Sequence, residues 1–185
     1  MKEDVSKALE SDGWTEDGSK IRAEYSKYLL ECCLKLQKYN SSVMDADGMR
    51  AAISDLTGRA CDPSSIVVFP FRCDLGFNIH IGKDVIVNYN CTFLDTARIT
   101  IGDHCKIGPD CHLVTAIHPK DHMERRKHAV RGEPIAIGDD CWLGANVTVL
   151  PGITIGKRCI IGAGSVVTKD VPDDTVYVGN PAHPI

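Results

Sequence analysis

The stretch IGDDCWLGANVTVLPGITIGKRCIIGAGSVV, residues 137–167, decides the fold. Aliphatic residues stand at Ile137, Leu143, Val149, Ile155, Ile161 and Val167, six apart without a break, and four are followed by glycine: Gly138, Gly144, Gly156 and Gly162. A period of six is neither the 3.6-residue spacing of a helix nor the alternation of a hairpin strand; it marks a β-solenoid of six-residue repeats. If each hexad is one short strand plus a corner, three hexads close a triangular coil. Residues 18 apart then stack, Ile137 over Ile155, Leu143 over Ile161 and Val149 over Val167, in a continuous apolar ladder. The glycine supplies either an unusual dihedral or room for close backbone approach.

Working outward, the same register holds at Ile81, Val87 and Phe93, and resumes after a two-residue slip at Ile101, Ile107 and Leu113. Four positions after the repeat aliphatics come Cys91, Cys105, Cys111, Cys141 and Cys159, in a column otherwise made of small or branched residues. These five of the nine cysteines read as corner packing. With no C-x-x-C pair and no secretory signal, the thiols read as reduced and the chain as cytoplasmic. The 185 residues suit one core of ordinary size; 21 Lys+Arg against 25 Asp+Glu with 43% hydrophobic residues exclude a basic nucleic-acid binder and a disordered polyelectrolyte. No window approaches the roughly 18 apolar residues of a membrane span, so neither nucleic acid nor membrane is an expected partner.

Residues 1–60 read as a small α-helical cap and 61–185 as the β-helix domain, with an extruded loop at 118–134. From Ser19, Ile21, Tyr25, Tyr28, Leu29, Cys32, Cys33 and Leu36 share one helical face. A second helix carries Met49, Ile53 and Leu56, with Asp45 or Asp47 as N-cap and Gly58 as stop.

Chemistry concentrates where the rhythm fails. Between Leu113 and Ile135 the loop carries His118, His122 and His128, with His112 just before it. Pro119 biases His118 to extended geometry at a strand exit, where a base is well placed. His122 and His128 read as solvated. Lys120, Arg125, Arg126, Lys127 and Arg131 read either as a solvated face or as neighbours of an anionic cofactor. Asp74, Asn88 and Asp95 suit a hydroxyl-rich ligand as donors and acceptors, but from the residues alone turn formation by Asp and Asn is the better reading. Gly162 to Pro172, with Thr168 and Lys169, suits a phosphate-bearing ligand along the prism edge.

The stretches FRCDLGFNIHIG (71–82), NYNCTFLD (88–95), TAIHP (115–119), GDDCWLG (138–144) and GAGSVVTKD (162–170) together resemble the maltose and galactoside O-acetyltransferases of the hexapeptide-repeat acyltransferases. The resemblance covers residues 60–185. It implies a left-handed parallel β-helix, a homotrimer with active sites between neighbouring prisms, acetyl-CoA as co-substrate, a small sugar such as maltose or glucose as acceptor, and no metal. Position by position, it implies that His118 is the general base of a direct transfer and that Asn88 assists it. Asp74, Asn88 and Asp95 would bind the acceptor. Trp142 and Ala145 would line the pantetheine arm, with the Ala145 amide meeting the oxyanion, and Ala163, Thr168 and Lys169 would lie further along the CoA. The chain departs from the family in reading Ser11 to Ser19 in place of an A-G-E-x-Y motif. Thr96 stands where some relatives have a second acid, Ala145 where some have serine, and His183 where Lys or Arg is common. Three rival readings are an acetyltransferase for serine or an antibiotic, a non-catalytic trimeric scaffold, and a γ-type zinc carbonic anhydrase using His80, His118 and His122.

Overall fold

A computed structural model describes residues 1–11 and 13–185; Asp12, within the divergent Ser11 to Ser19 stretch, lies outside the described residues. From Ile66 onward the chain winds as a left-handed β-helix with three parallel faces. The first face stacks Ile66–Val67, Ile86–Val87, Lys106–Ile107, Trp142–Leu143, Ile160–Ile161 and Val176–Val178. The second stacks Arg72–Cys73, Thr92–Leu94, His112–Val114, Thr148–Val149 and Val166–Val167, and the third Ile79–Ile81, Ile99–Ile101, Ile135–Ile137 and Thr154–Ile155. The expected ladder is present: Ile137 pairs with Ile155, Leu143 with Ile161 and Val149 with Val167. The first coil begins earlier than the clear hexads suggest, because Ile66–Val67 already pairs with Ile86–Val87.

The slip has a definite place. Between the first and second faces, and between the third and first, inward residues remain six apart in every coil, as from Val87 to Phe93 or Ile101 to Ile107. Between the second and third faces, Cys73 to Ile81 and Phe93 to Ile101 each span eight, and the extruded loop is inserted at the same corner in the next coil. Every departure from the repeat therefore falls on one edge.

The glycines that follow the inward aliphatics serve close approach rather than unusual dihedrals. The left-handed conformation is taken two residues later by Asp84, His104, Asp140, Arg158 and their equivalents. A Cβ on Gly138 would stand 2.8 Å from the Gly156 carbonyl carbon and the Lys157 nitrogen. The corner cysteines are buried, and each thiol donates to a carbonyl of the next coil: Cys91 to Gly108, Cys111 to Gly144 and Cys141 to Gly156, at 3.2, 3.1 and 2.9 Å. All nine cysteines are free.

Three helices cap the start of the solenoid. α1 (Lys2–Leu9), which the sequence reading did not anticipate, buries Val5 and Leu9 against Tyr25, Leu75, Phe77 and Val130. α2 (Lys20–Asn40) starts at Ser19, whose Oγ accepts from the Arg22 N–H. It buries Tyr25, Cys32 and Leu36, but Leu29 and Cys33 of the expected stripe are exposed, with Leu30 and Leu34 beside them. α3 (Ala46–Thr57) is capped by Asp45, which accepts from the Gly48 N–H at 2.8 Å, and stops at Gly58 with φ 68°. Among the described residues no helix is long and apolar enough to cross a membrane.

Because Gly138 is packed against backbone, Gly138→Ala should lower unfolding free energy in urea by about 1–3 kcal/mol. Asp140→Gly, where φ is 60°, should change it by less than about 1 kcal/mol.

Candidate active site

The nine residues singled out from the sequence sort onto two edges that bound the second face. Asn88, Ala145 and Ala163 lie on the edge between the first and second faces, and Trp142 on the adjoining strand of the first. Hydrogen bonds from Asn88 N to Ile107 O, Gly108 N to Leu143 O and Gly144 N to Ile161 O stack this edge coil on coil, with Trp142, Ala145 and Ala163 exposed along it. Asp74, Asp95, His118, Thr168 and Lys169 belong to the other edge, where the chain leaves the second face. His118 and Asn88 of one chain thus stand at opposite ends of the second face.

On the irregular edge, Asp95 is fully buried. Its Oδ1 accepts from the Asp74 and Leu75 amides at 3.0 and 2.8 Å and its Oδ2 from the Asn78 amide at 3.2 Å, so the carboxyl shapes the turn around Gly76. Asn78 closes the turn by donating to the Asp95 and Thr96 carbonyls. Burial pushes the Asp95 carboxyl up to about 7 against the pull of the Leu75, Gly76 and Asn78 amides. Asp74 is half-buried at the edge; burial raises its carboxyl too, and Thr96 Oγ1 donates to it at 3.4 Å. Tyr25 of α2 joins this group, its phenol raised first by burial and then by the Asp74 charge. Neither Tyr25 nor Thr96 had been singled out as a site residue: the first reads as helix stripe and the second as an apparent loss.

His118 follows the short strand Ala116–Ile117, which pairs antiparallel with Arg131–Gly132 where the loop returns. Thr115 anchors the root, donating to the Leu94 carbonyl at 2.6 Å and accepting from the Ala97 amide at 2.8 Å. The His118 Nδ1 lies 2.8 Å from the Ala129 carbonyl oxygen. A carbonyl only accepts, so Nδ1 carries the hydrogen and Nε2 keeps its lone pair. The loop cations Lys120, Arg125, Arg126 and Lys127 are exposed, as a solvated face implies, and their bonds are local: Arg125 donates to the Pro119 and Lys120 carbonyls, Lys127 pairs with Glu124 and the half-buried Arg131 with Glu133. His128, read as solvated, is exposed and also bonded to Asp17. His80 faces out from the third face, and no three metal-ligating side chains converge among the described residues.

The family described as "Hexapeptide repeat of succinyl-transferase" matches residues 134–169. A maltose O-acetyltransferase from Clostridium difficile 630 superposes with a TM-score of 0.89 at 36% identity, covering 98% of this chain and 95% of that one. Nodulation protein L of Rhizobium meliloti is 42% identical over 148 residues, 80% of each chain. The chain belongs to the hexapeptide-repeat acetyltransferases of the maltose and galactoside O-acetyltransferase family. Another acetyltransferase of this type, from Vibrio cholerae O1 biovar eltor and complexed with acetyl coenzyme A, has a TM-score of 0.85 at 36% identity and covers 97% of this chain and 96% of that one. A Schizosaccharomyces pombe protein is 53% identical over 116 residues, and there the match spans 56% of the relative's own length.

In this acetyltransferase the Asp95 turn carries a pH signature. An unfolded aspartate ionises near about 3.9, whereas the folded Asp95 does so at about 7. Its stabilising contribution is therefore fully present below about pH 4 and is lost as pH rises through about 7. Denaturation midpoints measured across that window should fall with rising pH, and Asp95→Asn, which cannot ionise, should flatten the slope.

Proposed function

We propose that this acetyltransferase transfers the acetyl group of acetyl-CoA to a hydroxyl of a small maltose- or glucose-like sugar by direct attack, with His118 as general base. The observation that carries the reading is the His118 ring, anchored through Nδ1 to the Ala129 carbonyl so that Nε2 keeps its lone pair. Nε2 takes the hydroxyl proton as the oxygen attacks the thioester carbonyl, and the oxyanion is met by the Ala145 N–H. Collapse expels the CoA thiolate, which takes the proton back from the imidazolium, giving the sugar ester and free CoA. Asp74 is the acceptor-binding carboxylate. Asp95 acts through the turn, since its oxygens are already occupied by amides.

The two edges meet only between copies. A homotrimer in which the Asn88–Trp142–Ala145–Ala163 edge of one protomer lies against the His118 edge of the next completes the site, and acetyl-CoA runs between them past Thr168 and Lys169. Two apolar surfaces support this arrangement. Ile86, Trp142 and Ile160 project outward in one column of the first face, with Lys106 between Ile86 and Trp142. A groove of about 680 Å³ beside Asp74 is lined by Leu29, Leu30, Cys33 and Leu94. Apolar surface of this kind seeks cover.

The test is release of free CoA thiol over maltose, glucose, galactosides, serine and chloramphenicol. A sugar should be the acceptor, and His118→Ala should lower kcat by about 10² to 10⁴ while acetyl-CoA binding survives. An active His118→Ala enzyme would remove the base, and turnover with serine or chloramphenicol alone would replace the substrate class.

A further inference from the structure

The loop that carries His118 is built onto the segment joining α1 to α2. Thr15 and Val130 exchange both main-chain hydrogen bonds, at 2.9 and 3.0 Å, and the Asp17 N–H donates to the Lys127 carbonyl at 3.2 Å. The His128 Nδ1 is bonded to the Asp17 carboxylate at 2.5 Å, and the Arg131 guanidinium lies over the Trp14 ring, 5.2 Å from its centroid. Ala129 and Val130 are buried, and Val130 belongs to the same apolar cluster as Val5, Leu9 and Tyr25 of the cap. His128 takes φ 53°, a conformation that a non-glycine residue keeps when its surroundings hold it. Between His128 and Val130, both held by residues 15–17, lies the Ala129 carbonyl that fixes His118.

We propose that residues 14–17 are a positioning element for acetyl transfer. By clamping His128 and Val130 they set the direction of the Ala129 carbonyl, and that carbonyl selects the Nδ1–H form of His118 and aims Nε2 at the acceptor. The proposal rests on the reading of His118 as base. It assigns the N-terminal segment a part in turnover rather than in CoA binding, because none of its contacts reaches the Trp142–Ala163 edge. A ring freed to rotate spends less time in line with the hydroxyl, and misplacement by about 1 Å costs up to about 10²-fold in rate.

The experiment uses the full chain carrying Trp14→Ala together with Asp17→Ala, with Asp17→Asn as the conservative variant. Long-range ¹H–¹⁵N correlation of the His118 ring reads its tautomer without any acceptor, and CoA release with maltose reads turnover. The double variant should show mixed His118 tautomers and a kcat lowered about tenfold, with KM for acetyl-CoA and the thermal midpoint little changed. Asp17→Asn still offers an oxygen to the His128 N–H and should restore most of the rate. A single unchanged tautomer with wild-type kcat in the double variant, beside an inactive His118→Ala, would overturn the positioning role and leave the base standing. An active His118→Ala would overturn both.

Discussion

Coil-to-coil register is the constraint on which everything else depends. Each inward residue stacks on its equivalents above and below, as Val87 does between Val67 and Ile107, and Phe93 between Cys73 and Leu113. Such side chains are fully buried, and burying each contributes about 1.5–3 kcal/mol. A shift of one residue would turn an entire short strand inside out. The main-chain bonds between coils and the corner thiols that cap carbonyls of the next coil reinforce the same register. Extra residues are tolerated only where they can leave the prism and return without moving the next strand.

One edge absorbs all of them. The corner between the second and third faces takes the Asp74–Asn78 turn, the equivalent Asp95 turn and then the whole loop around His118. Because these segments lack ladder partners, their amides need other acceptors. Asp95 supplies several of them at once, which accounts for its buried carboxyl. The opposite edge stays strictly periodic, and along it lie Asn88, the exposed Trp142 and the small residues Ala145 and Ala163. Irregular chain presents titratable side chains, and regular chain presents the edge along which the proposal lays acetyl-CoA.

The ladder from Ile137 to Val167 was legible because its period is a property of the chain itself. So were Asp45, one of two candidate N-caps, and the stop at Gly58, which act within three or four residues of the groups they satisfy. α1 was not, since eight residues with two buried positions carry no periodic signal apart from the core they pack on. Leu29 and Cys33 fit a helical stripe but face an open groove, because spacing reports a common face and not whether that face is covered. At the candidate site, residue types drew attention to His118, Asp74 and Asn88, whose roles are proposals. That Asp95 is tied up by a turn while Asp74 is not depends on amides 17 to 21 residues away in sequence. The Ala129 carbonyl and the Asp17–His128 bond leave no trace in the sequence, since any residue offers a carbonyl and the second contact joins positions 111 apart.

The central claim is that one chain carries half a site on each of two edges. Mixing subunits tests it most directly: His118→Ala and Asn88→Ala chains are unfolded together, refolded at equal ratio, and assayed for CoA release against each variant refolded alone. If a site takes His118 from one protomer and Asn88 from its neighbour, random trimers restore intact sites and the mixture recovers about a quarter of wild-type activity. A mixture no more active than the separate variants would place both residues in a site within one chain and contradict the account.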